Sequence, residues 1–277
     1  MKKILVPVDF AERSGYALKA AAKIAKKQNA DIIVLHMLGL SESLVSSNAN
    51  EHHEILHYIK IVEQRFQEFL NKDYLEGLNI TDMVHNYQNF TELNKVAKDQ
   101  GANLIVMGSH GTSGFNEMFV GSNTERVVRT SEIPVLVIKD DSDDFNLESV
   151  LFVSEFRDIS VDVYKRAMAF FNLFNTKVEL IYINLPADKF RSNNQLRARF
   201  QDFLEKAEDG DLSKLSEIVI YNDYSVESGV FNYCEKTNAN LIAIPTHGRR
   251  GLAHFFSGSI GEDIVNRSSL PVLTLKI

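Results

Sequence analysis

The segment that decides the fold is GANLIVMGSHGTSGFNEMFVGSNTERVVRTSEIPVLVIK, which runs from Gly101 to Lys139. A closely similar segment, NANLIAIPTHGRRGLAHFFSGSIGEDIVNRSSLPVLTLK, runs from Asn238 to Lys276. Each begins with a short apolar run, continues through a glycine-rich stretch and a helical pattern, and ends with a second apolar run after a proline. This order predicts a strand, a loop, a helix and a second strand in both segments. The chain is therefore an internal duplication.

The other segments of the two copies also correspond. The run ILVPVDF from Ile4 resembles VLFVSEF from Val150, and the helical segment RFQEFL recurs as RFQDFL. The distance between matching segments changes along the chain, which places insertions and deletions in loops. This is expected for two domains that diverged from one ancestor. We therefore predict one domain over residues 1–145 and a second over residues 146–277.

Strands and helices are expected to alternate within each copy. In the first copy an apolar strand from Lys3 precedes an amphipathic helix from Arg13, and a strand from Asp31 precedes a helix over about residues 51–72. Alternation of this kind implies parallel pairing, right-handed crossovers and helices on both faces of a sheet. The acidic segment DDSDDFN, which begins at Asp140, is predicted to be the linker between the copies.

The composition restricts the classes of function. The 277 residues are 44% hydrophobic and 24% charged, as in a globular protein in water. The net charge of −7 argues against nucleic-acid binding, because a phosphate backbone requires a basic face. The apolar runs are too short for a membrane span or a signal peptide, and the single cysteine, Cys234, suits a reducing compartment. We expect a cytoplasmic protein that binds neither nucleic acid nor membrane, with Cys234 as a buried structural thiol.

The glycines after the fourth strand suit a phosphate-binding loop. In the first copy they follow the pattern Gly108-x2-Gly111-x9-Gly121-Ser122. Ligands of open parallel sheets bind beyond the carboxyl ends of the strands, so this loop and Asp9, which ends the first strand, would share one crevice. Glycines let the backbone approach a ligand, and a helix N-terminus adds a partial positive charge. Asp9 would accept hydrogen bonds from ribose hydroxyls.

Plainer explanations of the same residues stay open at this point. Glycines after a strand commonly form turns, and an aspartate there commonly caps a helix. Ser122 and Glu125 have the spacing of a capping box, and so do Ser259 and Glu262. Each pair can serve simply to start a helix.

Over its whole length the chain resembles a tandem pair of universal stress protein domains. The residues that carry the resemblance are the glycine spacing together with Pro7-Val-Asp9-Phe10, His36, Met107-Gly-Ser-His-Gly and Pro134-Val-Leu-Val. The resemblance implies an adenine-nucleotide alpha-hydrolase-like α/β fold for each copy, with a five-stranded parallel sheet flanked by helices. It also implies pairing through the last strand, where the family dimerises. Some members of the family bind ATP through this glycine pattern, and others bind none.

The resemblance also implies a site for ATP or AMP in the first copy. The positions that match the family's ligand-binding residues are Pro7, Val8, Asp9, Met37, Met107, Gly108, His110, Gly111, Gly121, Ser122, Asn123 and Thr124. By this resemblance, Met37 and Met107 would contact the adenine, Asp9 the ribose, and the start of the helix the phosphates. The stretch from Thr112 to Val120 contains no Lys or Arg. The charge of a triphosphate would therefore rely on backbone amides and a divalent cation such as Mg²⁺.

The second copy departs further from the pattern. Pro245 stands where the first copy has Gly108, and proline has no N–H to donate and a fixed φ. Glu155 replaces Asp9 and is one methylene longer. We expect a degenerate, empty site in the second copy, with an altered anion site as the alternative.

One competing motif is the segment from His53 to His57, which matches the zinc-binding pattern HExxH. Glu51 places a charge just before it and no third ligand stands out, so we interpret it as a chance match. The signatures GxGxxG, GxxxxGK[ST] and GxSxG are missing from the sequence. His36, inside the second strand, is interpreted as a core residue.

The leading hypothesis is a non-enzymatic nucleotide-binding stress protein whose two domains form an internal pseudo-dimer, with a homodimer as a further assembly. The last strands, Val135–Ile138 and residues 272–275, are expected to pair with each other and so to cover an apolar sheet edge. The alternative is a nucleotide-free interaction protein of the same fold. Slow ATP hydrolysis or metal-dependent hydrolysis is the enzymatic reading that is least favoured.

Overall fold

The computed structural model describes residues 1–38, 49–86, 92–109, 121–141, 143–246 and 260–277. Within these ranges the chain forms two compact units, Met1–Asp144 and Phe145–Ile277. Each unit contains a five-stranded sheet whose strand pairs are parallel. The predicted α/β fold class is confirmed for both copies.

The first unit alternates strands and helices as the sequence predicts. Its strands are β1 (Lys3–Val8), β2 (Asp31–Leu38), β3 (Ile80–Asn86), β4 (Leu104–Gly108) and β5 (Val135–Ile138). Its helices are α1 (Glu12–Gln28), α2 (Ala49–Leu70), α3 (Leu93–Asp99) and α4 (Ser122–Thr130). The strand order is β3-β2-β1-β4-β5, so the direction of winding reverses between β1 and β4.

The second unit repeats this topology. Its strands are β6 (Ser149–Val153), β7 (Lys177–Asn184), β8 (Val219–Asn222), β9 (Leu241–Thr246) and β10 (Val272–Lys276). Its helices are α5 (Val161–Asn172), α6 (Asn193–Ala207), α7 (Val226–Cys234) and α8 (Ile260–Arg267). The order β8-β7-β6-β9-β10 matches that of the first unit strand for strand. The duplication in the sequence is therefore also a duplication of topology.

The central strand β1 is buried on both faces. Ile4, Leu5 and Val6 are fully buried, because helices cover both sides of a parallel sheet. Helix α1 lies against β1 and β4 and buries a face of small residues that includes Ala17 and Ala21. Small side chains on this face let the helix approach the sheet closely. No helix in the described part of the chain is long and apolar enough to cross a membrane.

An aromatic cluster closes the end of β1 in the first unit. The ring centroids of His36, Phe66 and Phe69 lie 4.6, 5.0 and 5.6 Å from that of Phe10. Phe10 has a φ of 65°, a conformation that bulky residues seldom adopt. His36 also donates a hydrogen bond of 2.8 Å from Nδ1 to the Val8 carbonyl. The polar atom of His36 is thus satisfied within the unit as expected, but the residue is half-buried at the margin of the core.

The second unit contains the same cluster. Phe156 occupies the position of Phe10, has a φ of 50°, and packs against Phe200 and Phe203 at 5.0 and 5.3 Å. Tyr182 takes the place of the histidine and lies 5.7 Å from Phe200. The unusual backbone conformation and its aromatic partners were thus both retained after duplication. The matching segments RFQEFL and RFQDFL supply the phenylalanines of α2 and α6.

The acidic segment predicted as a linker is bound to the first unit. Lys19 on α1 forms ion pairs with Asp141, at 3.1 Å, and with Asp143. Lys23 donates a hydrogen bond to the carbonyl of Asp143. The first unit accordingly extends to Asp144, because its own helix holds the acidic residues.

We predict that the two aromatic clusters contribute equally to stability. Phe66 and Phe200 are each 2% exposed, so Phe66→Ala and Phe200→Ala should each lower the free energy of unfolding by about 3–5 kcal/mol. Denaturant unfolding measures the cost. Tyr224→Ala is the control, because Tyr224 is 90% exposed, and it should change stability by less than about 0.5 kcal/mol. A cost below that of the control for either phenylalanine would contradict the prediction.

Candidate functional site

The candidate site lies in the first unit at the carboxyl ends of β1 and β4, where the strand order reverses. Asp9 directly follows β1, and Gly108 is the last residue of β4. The two strands are neighbours, with Ile4 opposite Leu104. Open α/β sheets bind ligands at this kind of reversal, because the chain leaves the two strands in opposite directions and opens a crevice.

Asp9 is held by the turn that leads into α1. Its Oδ1 accepts a hydrogen bond of 3.0 Å from the N–H of Ala11. This bond fixes the carboxylate at the edge of the sheet. The two preceding residues, Pro7 and Val8, are buried in β1.

Two buried methionines flank the end of β1. Met37 is the penultimate residue of β2 and Met107 that of β4, and these are the two strands that pair with β1. They are 9% and 5% exposed. The structure therefore brings both methionines to the sheet edge that carries Asp9 and Gly108.

Gly108 is required by the close approach of α1. A Cβ atom at this position would lie 2.7 Å from the carbonyl oxygen of Arg13 and 3.2 Å from the Arg13 Cβ. Real Cβ atoms do not come so near a backbone oxygen, so any other residue would displace the helix. The sequence pattern predicts that a glycine here lets the backbone approach a ligand. The structure shows that the packing of α1 also requires a glycine.

The start of α4 is attached to the end of β4 by two hydrogen bonds. The Gly121 N–H donates to the carbonyl of Ser109 at 2.8 Å, and the Thr124 hydroxyl donates to the carbonyl of Gly108 at 2.9 Å. Thr124 is buried, whereas Ser122 and Asn123 are exposed at the helix start. The hydroxyl of Thr124 therefore positions the helix, and the exposed pair faces solvent.

The proposed capping box at this helix is not formed. Gly121 is the N-cap residue, with φ −60° and ψ 145° and no side-chain cap, and Ser122 is already helical. Glu125 pairs instead with Arg129 in the last turn of the helix. The spacing of Ser122 and Glu125 is that of a capping box, but Gly121, one residue earlier, occupies the N-cap position.

Some predicted site residues lie outside the described residues. They are His110 and Gly111 in the first copy and the equivalent glycine loop of the second copy, including Ser259. The HExxH segment lies on α2, where the side chains of His53 and Glu54 are outside the described set and His57 is exposed. Among the described residues, no group of three or more His, Cys, Asp or Glu side chains is placed to hold a metal ion.

Three polar residues at this edge were missed by the sequence analysis. The guanidinium Nη1 of Arg13 lies 3.4 Å from the hydroxyl of Ser109, which is fully buried. Lys139, which follows β5, is also buried, and burial is the main cause that lowers its pKa to about 8. The Asp140 carboxylate opposes this shift in the Lys139 pKa, and the charge of Arg13 adds to it. Comparing the copies would have singled out Arg13, because Ile159 replaces it in the second.

The equivalent edge of the second unit has a different arrangement. Glu155, at the position of Asp9, is exposed and forms an ion pair of 2.8 Å with Arg157. Pro245 lies in β9 opposite Leu275, at the position of Gly108.

The contact between strand end and helix start also differs in the second unit. Gly261 on the helix replaces Thr124, and Thr246 at the strand end replaces Ser109. A Cβ at Gly261 would lie 2.9 Å from Thr246 Cγ2. Because a glycine replaces Thr124, the hydroxyl that positions α4 has no counterpart on α8.

The chain belongs to a class of tandem α/β proteins with the nucleotide alpha-hydrolase-like fold. The model of the universal stress protein family matches residues 1–139 and again residues 148–276. The chain is therefore a member of the universal stress protein family, with two tandem domains of that family.

Relatives in other organisms agree with this assignment. The universal stress protein MJ0577 of Methanocaldococcus jannaschii is 32% identical over 153 residues, which is 50% of this chain and 94% of that protein. YxiE of Bacillus subtilis is 30% identical over 152 residues, 50% of this chain and 98% of the relative. A crystal structure of a universal stress protein from Archaeoglobus fulgidus covers 99% of this chain and 98% of its own, with a TM-score of 0.72 and 22% identity. The first two match one domain, and the last matches the fold of both.

We predict that the Thr124 hydroxyl stabilises the start of α4. Thr124→Val keeps the shape of the side chain but leaves the Gly108 carbonyl without its donor, so stability should fall by about 1–3 kcal/mol. Thr124→Ser, which retains a hydroxyl, should recover most of that loss. Thr130→Val removes an exposed hydroxyl from the same helix and is the matched control in denaturant unfolding. Equal stabilities of the valine and serine variants would show that the hydrogen bond contributes nothing.

We also predict that Cys234 is unreactive in the folded protein. Cys234 is half-buried, which is less than the sequence predicted. This burial is still the main cause that raises its pKa to about 11 from 9.0, and the Glu179 carboxylate raises it further. At pH 8 the thiolate fraction should be about 100-fold lower than in the unfolded chain, since each pKa unit is a factor of ten. The rate of reaction with a thiol reagent, measured with and without denaturant, checks this. Equal rates in the two conditions would contradict it.

Proposed function

We propose that the first unit binds an adenine nucleotide, ATP or AMP, at the carboxyl ends of β1 and β4, and that the second unit does not. The protein would then act in the stress response as a binding module and not as an enzyme. The nucleotide would be the ligand through which the protein senses or responds. This proposal goes beyond family membership and rests on the difference between the two units.

The observation that carries the proposal is that asymmetry. In the first unit Asp9, Gly108 and Gly121 are brought to the sheet edge where the strand order reverses. In the second unit Glu155 is engaged by Arg157 and a proline stands at the glycine position. The two units share their topology, and loss of a binding site would account for these differences at the strand ends.

Each part of the first site suits one part of a nucleotide. The buried methionines on either side of β1 offer polarisable, apolar surface to an adenine ring. Asp9 directly follows β1 at this edge, and a carboxylate accepts hydrogen bonds from ribose hydroxyls. The first N–H groups of α4, at Ser122 and Asn123, have no intrahelical partners and suit phosphate oxygens.

A Mg²⁺ ion would be held chiefly by the phosphates in this proposal. Carboxylates and phosphate oxygens are the ligands that Mg²⁺ prefers, and it commonly keeps several waters. Among the described residues no cluster is placed to bind a metal without help. The ion would therefore bind together with ATP, and AMP would bind without it.

We predict one nucleotide per chain in isothermal titration calorimetry. Asp9→Ala should weaken ATP binding about 5- to 150-fold, the range for loss of one hydrogen-bonded group. Gly121→Val should also weaken it, because the new side chain would stand at the helix start where the phosphates are proposed to bind. The φ of −60° at residue 121 is compatible with a side chain. Glu155→Ala, the same truncation at the equivalent position of the second unit, is the matched control and should leave binding unchanged.

The outcomes separate the two functional readings. Two equivalent ATP sites per chain would contradict the proposed loss of the second site. No binding of ATP or AMP, with mass spectrometry finding no nucleotide in the purified protein, would favour the nucleotide-free interaction protein. Pro245→Gly alone should not create a second site, because Gly261 also lacks the positioning hydroxyl.

A further inference from the structure

The first turn of α1 lies directly against the end of β4. The Arg13 carbonyl oxygen would be 2.7 Å from a Cβ at Gly108, so the two backbones are in van der Waals contact. Because the two backbones are in contact, the position of the Arg13 backbone relative to β4 is fixed. The residue is therefore placed at the candidate site by the packing of the helix, whatever its side chain does.

The side chain of Arg13 extends from this point towards the start of α4. Its Nη1 is 3.4 Å from the hydroxyl of Ser109, the residue that follows β4. The carbonyl of the same Ser109 accepts the hydrogen bond from Gly121, the N-cap of α4. Ser109 thus contacts both the Arg13 guanidinium and the N-terminus of α4 at one end of the sheet.

The surroundings of Arg13 are electrostatically suited to an anion. Its positive charge disfavours the charged form of Lys139 at the end of β5, where the main cause of the lowered pKa is burial. The N-terminus of α4 adds a partial positive charge. Asp140 offsets part of this charge. A phosphate group bound here would relieve the repulsion among these positive groups.

The second unit lacks this feature. Ile159 occupies the position of Arg13, is 57% exposed, and offers no charge or hydrogen-bond donor. A lysine at the end of the last strand is kept in both units, as Lys139 and Lys276. The second unit instead has Arg157 at this edge, which is engaged by a glutamate. The arginine at the Arg13 position therefore distinguishes the unit proposed to bind nucleotide from the one proposed not to.

We propose that Arg13 binds the phosphates of the nucleotide and makes the first unit select nucleoside polyphosphates over adenosine and AMP. This inference rests on the proposed function. The guanidinium offers several N–H donors to phosphate oxygens, which is the geometry that arginine provides best. It also supplies positive charge, whereas the sequence from Thr112 to Val120 contains no Lys or Arg.

The test compares adenosine, AMP, ADP and ATP by calorimetry on the full chain and on Arg13→Gln. Glutamine keeps the aliphatic stem, so the contact with Gly108 is retained. The parent should bind more tightly as phosphates are added. Arg13→Gln should lose about 10- to 100-fold in ATP affinity and little in adenosine affinity, as expected for removal of a charged hydrogen-bond donor. Arg13→Lys should recover part of the loss.

The control variant is Arg129→Gln, which removes the same charge from the opposite end of α4 and should leave all four affinities unchanged. Four results would overturn the inference while the proposed nucleotide site stands. These are an unchanged ATP affinity in Arg13→Gln, an equal loss for adenosine and ATP, an equal loss in the Arg129 control, and a parent that binds adenosine as tightly as ATP. Absence of binding of any of these ligands to the parent would remove both proposals.

Discussion

The close approach of α1 to the end of β4 is the constraint on which the first unit's candidate site depends. The Arg13 carbonyl leaves no space for a side chain at Gly108. Because the helix is held at this distance, Asp9 can close the turn into it, and the Arg13 side chain can reach Ser109. The helix thereby brings an acceptor, a cation and a glycine to the same strand ends. A longer helix–sheet distance would separate these groups.

The two units show which parts of the fold were free to diverge after duplication. Strand order, the left-handed phenylalanine after the first strand and its aromatic partners are the same in both. These features form the core, where an altered volume is costly. The edge at the strand ends is not needed for the core and has changed in charge, in proline content and in hydrogen bonding. Divergence at an edge is compatible with stability and alters only what the edge can bind.

The contact between the strand end and the following helix also differs between the copies. In the first unit the Thr124 hydroxyl on the helix donates a hydrogen bond to the carbonyl of Gly108 on the strand. In the second unit Gly261 replaces Thr124, and the side chain of Thr246 at the strand end lies beside it. The two sites therefore differ in how the helix is held, as well as in the residues that would face a ligand.

The sequence by itself determined the duplication, the order of strands and helices, the family and the edge of the sheet where a site would lie. It did so because apolar periodicity, strand-ending residues and repeated segments are local properties that can be recognised in each copy separately. The sequence did not identify the N-cap of α4. That cap is Gly121, because the start of the helix is set by a hydrogen bond to Ser109, a residue distant in the chain. The tertiary structure alone decided that Gly108 is enforced by α1, that the Thr124 hydroxyl is used internally, and that Arg13 and Lys139 join Asp9 at one edge. These relations depend on the distance between a helix and a sheet. That distance is set by the packing of the whole unit and cannot be inferred from any one segment of the sequence.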